Sequence, residues 1–334
     1  MKFDILITLA LVQFVACTEH RLNFDKAIIL RETVNFSAVN SEYDDYNSAE
    51  IKIEANNSFS LIFSTNRNSS GNNFDFIYYD CTAYSNLING EFRIDANQVN
   101  SSLVDSINSP NNELGPYLTY DLAYNYYSNR TLENSEKRFF YTSDINGNLD
   151  IRFNYYTVEH NGYFPDGNPT SLTGINTVFD EGYLTIHPNE NTNKETCYFT
   201  SNRENNNFDI YRAISEEDKL IDESDSFEVI KVEQLSSDAD DKCPFIKGNV
   251  IVFTSNRTGG FGGFDLWFSA YNGTEWSAPE NFGENINTEY DEYRPIIIQT
   301  NKDEFFNDLM LFSSNRPGGK GMYDLYYAGL SKID

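Results

Sequence analysis

The sequence predicts an all-β fold, a five-bladed β-propeller of four-stranded antiparallel blades closed by its N-terminal strand, and three observations predict it. There are 26 Phe and 23 Tyr against two Trp and three Met, the aromatic and β-branched usage of strands rather than the Leu, Ala, Glu and Lys usage of helices. One motif recurs five times, as Phe63-Ser64-Thr65-Asn66-Arg67, Tyr141-Thr142-Ser143-Asp144-Ile145, Phe199-Thr200-Ser201-Asn202-Arg203, Phe253-Thr254-Ser255-Asn256-Arg257 and Phe312-Ser313-Ser314-Asn315-Arg316, and self-similarity of this kind marks a repeat architecture. A second, acidic marker precedes each copy. Its last acid falls at Asp45, Glu113, Glu181, Asp241 and Glu292, at intervals of 68, 68, 60 and 51 residues. Each interval holds four strands with their loops and is too short for a βαβ unit plus its own domain.

Taken in order, the chain opens with Lys2 and an apolar run from Ile5 to Ala16, the length of a signal-peptide core rather than of a membrane span, so residues 1–16 are read as a signal peptide. Phe14-Val15-Ala16-Cys17 resembles a bacterial lipoprotein box, with Phe14 in place of the usual Leu. Cys17 is then the lipidated first residue of an exported, outer-membrane-anchored protein; ordinary cleavage nearby is the alternative. Residues 17–334 form a single propeller domain, with blades at roughly 42–108, 109–176, 177–236, 237–287 and 288–334. In each blade an aspartate (Asp75, Asp150, Asp209, Asp265 or Asp324) opens the third strand after a Gly- or Asn-rich turn. Val34-Asn35-Phe36 running into Asn40-Ser41-Glu42-Tyr43-Asp44-Asp45-Tyr46 matches Glu280-Asn281-Phe282 running into Asn287-Thr288-Glu289-Tyr290-Asp291-Glu292-Tyr293. The chain thus begins on an outer strand, and residues 26–36 are expected to complete the last blade and remove its exposed edge. Tyr127-Ser128-Asn129-Arg130 repeats the triplet without the turn or the Asp-led strand and is read as an insertion in blade two; a sixth blade is the alternative.

Acidic side chains number 51 against 24 basic ones, for a formal charge of −27. That excludes counterion-release binding to nucleic acid and disfavours anionic membranes, leaving the lipid as the one membrane attachment. With Cys17 lipidated, Cys81, Cys197 and Cys243 remain, an odd set read as buried thiols, with a Cys197–Cys243 bridge as the alternative. His20, His160 and His187 have no metal-ligand spacing and are read as surface residues.

The marker loops and the second-to-third-strand turns emerge on one face of a propeller, around the channel. That face carries Asp44, Asp45, Glu113, Asp180, Glu181, Asp240, Asp241, Asp291 and Glu292 against Arg67, Arg203, Arg257 and Arg316. A residue recurring in every repeat serves the repeat, so each arginine is expected to fork onto the strand-opening Asp or a loop acid of the adjoining blade. The other reading is that the surplus carboxylates form an acidic mouth that holds a basic partner segment or a cation, calcium being the fit; no other cofactor is indicated. Asp144, Asn146, Asn148 and Asp150 alternate like the start of a calcium loop but lack its glycine and distal glutamate, and are read as a plain turn.

Ser-Asn-Arg, the Gly-rich turn, Asp-(Ile/Leu)-Tyr and the lead-in Asn287-Thr288-Glu289-Tyr290-Asp291-Glu292-Tyr293-Arg294-Pro295 resemble the WD40-like propeller repeat of the TolB type, well in blades three to five, fairly in blade one, and weakly in blade two, where Asp144 and Ile145 replace Asn and Arg. The resemblance implies an exported binding scaffold of the kind common in Bacteroidetes-like bacteria. With no carboxylate pair distinguished, no nucleophile elbow and no sialidase box, the expectation is a non-catalytic, monomeric scaffold binding a protein or cell-envelope glycan through its acidic loop face. The alternative is a glycan- or peptide-hydrolysing propeller with carboxylates at the channel mouth, distinguished by two or three acids free of arginine.

Overall fold

The computed structural model describes residues 25–54, 57–119, 137–159, 162–188, 195–204, 207–215 and 226–333. The signal stretch, Cys17, His20, His160 and the Tyr127–Arg130 triplet lie outside them.

The described residues form five four-stranded antiparallel sheets. A short strand, β1 (Val34–Asn35), precedes blade one: β2 (Asp45–Glu54), β3 (Ser58–Thr65), β4 (Asp75–Asn86) and β5 (Glu91–Val99). A short α-helix, α1 (Ser102–Ile107), leads to blade two: β6 (Glu113–Leu118), β7 (Lys137–Ser143), β8 (Asp150–Glu159) and β9 (Gly162–Ser171). Blade three is β10 (Glu181–Pro188), β11 (Glu195–Ser201), β12 (Asp209–Ser215) and β13 (Phe227–Lys231). Blade four is β14 (Asp241–Lys247), β15 (Val250–Ser255), β16 (Asp265–Ala270) and β17 (Glu280–Asn281). Blade five is β18 (Glu292–Ile298), β19 (Asn307–Ser314) and β20 (Asp324–Ser331), and its fourth strand is β1, with Val34 opposite Tyr327 and Asn35 opposite Tyr326. The closure expected of residues 26–36 is therefore present, and Ala27 adds a bridge to Phe305 lower on the same blade.

The first strands of the blades follow one another around the axis, β2 beside β6, β6 beside β10, β10 beside β14, β14 beside β18 and β18 beside β2. Alternation along the strands supplies the cores between blades. Phe76, Phe139 and Tyr141 pack between blades one and two with Leu103, Val104 and Ile107 of α1. Phe140, Phe153, Leu184 and Phe199 fill the next junction, and Tyr198, Ile210, Ile251 and Phe253 the one after. Each fully buried aromatic contributes roughly 2–3 kcal/mol by removal from water.

The turn glycines serve two purposes. Gly318 takes φ +95°, which side chains avoid, whereas Gly321 is glycine because a Cβ would strike the Tyr43 carbonyl of the next blade. Cys81, Cys197 and Cys243 are buried free thiols, so the Cys197–Cys243 bridge does not form. His187 corrects the surface reading: it is half-buried against the rings of Tyr271 and Trp276, which a loop of blade four brings over it.

Candidate functional site

In four blades the arginine of the repeat closes a compact network within its own blade. Arg67 pairs with Asp45, Arg203 with Glu181 at 3.2 Å, Arg257 with Asp241, and Arg316 with Glu292 at 2.8 Å; all four carboxylates are fully buried. The partner is thus the acid opening the same blade's first strand, neither the third-strand Asp nor an acid across the junction. The same Nη2 donates to the carbonyl of Val39, Ile175, Leu235 or Ile286, and Nε donates to Thr65, Ser201, Ser255 or Ser314. Each guanidinium lies over Phe63, Phe199, Phe253 or Phe312, 5.0–5.7 Å from the ring centre. The acid also accepts the amide and hydroxyl of the residue four places earlier, Ser41, Thr177, Ser237 or Thr288.

The other marker acid joins the blades. Asp44 accepts the amide of Tyr323, Asp180 that of Leu149, Asp240 that of Phe208 and Asp291 that of Phe264, each at 2.9 Å and each from the preceding blade. The third-strand acids hold their own turns. Asp150 accepts the amides of Asn146 and Asn148, so that segment is a turn, while Asp265 and Asp324 accept turn backbone N–H groups and Asp209 pairs with Lys231 at 2.7 Å. Among the described residues no three His, Cys, Asp or Glu groups converge as a metal site would require. The mouth between the acids is lined with half-buried rings: Tyr46 against Phe74 and Tyr323, Phe264 against Tyr293, and Lys242 4.2 Å from the centre of Phe208.

Blade two departs from this scheme. Its loop positions hold Asp144 and Ile145, and Asp144 accepts the backbone amide and side-chain Nδ2 of Asn112 at 2.9 and 2.6 Å. Elsewhere the loop asparagine and marker aspartate make the same contact with the residue types exchanged, as in Asn66 with Asp44. The arginine has moved to β8: Arg152 donates to the Pro169 carbonyl at 2.9 Å and hydrogen-bonds Tyr141. Ile145 is 46% exposed and reaches no carboxylate.

Glu113 is therefore the marker acid left without a cation. It is 1% exposed and accepts only the Ser109 amide and hydroxyl, at 3.2 and 2.6 Å. Burial raises its carboxyl to about 7; the Ser109 bonds oppose the rise, while the charges of Asp75 and Asp144 add to it. Asp75 is itself raised by burial, against a hydrogen bond from Asn68. Three carboxylates with no arginine thus stand together where blades one and two meet. Glu50, on β2 at the far end of the channel, is also raised to about 7 by burial, with Lys247 pulling it back, and one of its oxygens is enclosed without a partner. Sequence reasoning named Glu113, Asp75 and the missing Asn-Arg, but read the last only as a weak match of blade two to the repeat; Glu50 carried no motif.

No family model matches the chain, and no curated protein matches it. Solved structures do match over most of its length. An endo-arabinase from Bacteroides thetaiotaomicron superposes at TM-score 0.54 with 11% identity, covering 91% of this chain and 98% of its own. A fructofuranosidase from Schwanniomyces occidentalis gives 0.52 and 12%, covering 89% and 58%, and a GH62 hydrolase in complex with xylotriose 0.51 and 11%, covering 91% and 96%. At such identities the likeness establishes the five-bladed fold, and the TolB-type resemblance narrows to that. The neighbours also correct the expectation of a scaffold without chemistry, since the two that match nearly end to end are an endo-arabinase and a GH62 hydrolase. That expectation rested on finding no distinguished carboxylate, and blade two distinguishes one.

Proposed function

We propose that the protein is an exported glycan hydrolase whose proton donor is Glu113. The observation that carries this is the missing arginine of blade two, which leaves a buried carboxyl raised to about 7 beside two further carboxylates. A glycosidase needs one carboxylic acid still protonated near neutral pH to give its proton to the leaving oxygen, and a second, ionised carboxylate to attack the sugar or activate water. Asp75 takes the second role, because both oxygens of Asp144 are engaged by Asn112. The rings of Tyr46, Phe74, Phe264, Tyr293 and Tyr323 offer flat apolar faces against which sugar rings stack. The hydrolase neighbours support the same reading. It includes a TolB-like repeat ancestry, a lipid on Cys17 that holds the enzyme at the outer membrane, and a neutral glycan as substrate, since the acidic surface repels anionic polymers.

The test is release of reducing ends from arabinan, xylan and fructan oligosaccharides by the wild-type chain and by Glu113→Gln. Cleavage by the wild type and loss of about 10²–10⁴-fold in the variant is expected of a general acid. Absence of cleavage across the panel, or a variant as active as wild type, overturns it. Mass spectrometry of the mature N-terminus checks the lipid separately.

A further inference from the structure

Below the mouth, five residues in the left-handed backbone region circle the axis, each two places after its marker acid: Asn47 (φ 58°), Gly115 (55°), Tyr183 (57°), Cys243 (56°) and Arg294 (49°). At each one the first strand of the blade shifts register against its second. Four of the five are not glycine although this conformation favours glycine. Their side chains are thus retained in spite of the backbone, and they point to a use on the axis.

Arg294 is fully buried. Its Nη1 donates to the Pro244 carbonyl at 3.1 Å and its Nη2 to the Pro116 carbonyl at 3.2 Å, so it reaches blades four and two from blade five, while its Nε has no partner. Its guanidinium lies 5.6 Å from the centre of the Tyr183 ring. The titratable groups facing it are Cys243, Tyr183 and Tyr117. Burial raises the Cys243 thiol to about 12 and the Tyr183 phenol well above its ordinary value, so neither supplies negative charge at neutral pH. Among the described residues no carboxylate pairs with this arginine, in contrast to the four arginines of the repeat. Asn47, the neighbouring ring position, is fully buried beside the hydroxyls of Tyr46 and Tyr183, and neither of its side-chain polar atoms has a partner of good geometry. An enclosed guanidinium among neutral groups is strongly unfavourable unless a counter-charge accompanies it, and buried polar atoms are satisfied in nearly all native proteins.

We infer that the propeller axis holds a small inorganic anion of chloride size, bound by the Nε–H of Arg294 and the side-chain Nδ2–H of Asn47. Water satisfies the donors but leaves the charge uncompensated, and the burial of Asn47, Tyr183, Cys243 and Arg294 favours a monatomic ion over a polyatomic one. The ion ties blade one to blade five, where the chain's two ends meet, and it is independent of Glu113 and its chemistry.

The experiment is thermal unfolding of the full chain, refolded at fixed ionic strength in sodium chloride, sodium bromide or sodium gluconate, with anomalous diffraction from bromide-grown crystals. A melting temperature about 5 °C higher in either halide than in gluconate is expected for a site near saturation, together with a bromide peak beside Arg294. Arg294→Met is expected to abolish the halide dependence. Should that variant fail to fold, Asn47→Asp decides, because it places a carboxylate at the site: its melting temperature becomes the same in all three salts. Equal wild-type melting in gluconate and chloride, water alone at the bromide-soaked site, or halide dependence persisting in Asn47→Asp overturns the inference.

Discussion

Blades two and four solve the same problem with different residues. In blade four, Asp241 is buried and paired, held by Arg257, Ser237 and the hydrogen bonds that radiate from that arginine. In blade two, Glu113 occupies the same place with Ser109 alone, and Arg152, on a different strand, serves Tyr141 and Pro169. An arginine on the marker acid pulls against the rise that burial imposes, as Arg316 does on Glu292, and ties the turn as well. Taking it away costs the repeat one of its ties and yields a carboxyl that can gain and lose a proton near neutral pH. The difference teaches that degeneracy in a repeat is worth reading for what it releases.

The comparison can be broken most forcefully by restoring the tie. Ile145→Arg in blade two is expected to hold Glu113 ionised, lowering glycan cleavage by about 10²-fold or more while raising stability; hydrolysis and unfolding measured on one preparation check both signs. The converse, Arg257→Met in blade four, leaves Asp241 buried without its cation and is expected to cost about 3 kcal/mol or more in urea unfolding.

Proton linkage sharpens the contrast. The folded carboxyl of Glu113 sits at about 7, above its unfolded value, so the native state binds the proton more tightly. Its stabilising contribution is complete below the unfolded value of 4.5 and is lost as pH rises through 7, a change of about 3 kcal/mol. Unfolding midpoints between pH 4 and 8 should fall across that window, and Glu113→Gln should flatten the slope. Glu50 titrates over the same range, so part of the slope persists in that variant and disappears with Glu50→Gln. The smallest effect concerns the exchanged pair. Asn112→Asp alone sets two carboxylates against each other and is expected to cost about 1 kcal/mol, whereas adding Asp144→Asn restores the arrangement of the other blades to within about 0.5 kcal/mol.

The ring, the five blades and the closing strand were legible because they are periodic: turn chemistry and aromatic alternation recur, and Val34-Asn35-Phe36 announces itself as a copy of Glu280-Asn281-Phe282. The arginine's partner was less so, since the registers set both Asp45 and Asp75 opposite Thr65 and only the three-dimensional placement of the side chains brings Asp45 rather than Asp75 to Arg67. Glu113 stood out in no motif because its distinction lies in what its neighbours lack. That signal was present as Asp144-Ile145, and pairing it with Asn112 would have shown an exchange rather than decay. The axial ring left no trace in composition, because four of its five left-handed positions carry side chains that elsewhere read as ordinary strand residues.

Asn35 meets Asp324 across 289 residues of chain, so the first-made segment of the ring has no partner until the last-made strand exists. Assembly must therefore finish late, with a slow, long-range docking step whose rate is set by the search of one terminus for the other. Cutting the chain between blades two and three and fusing the old ends should move the slow step to that junction without altering the finished ring.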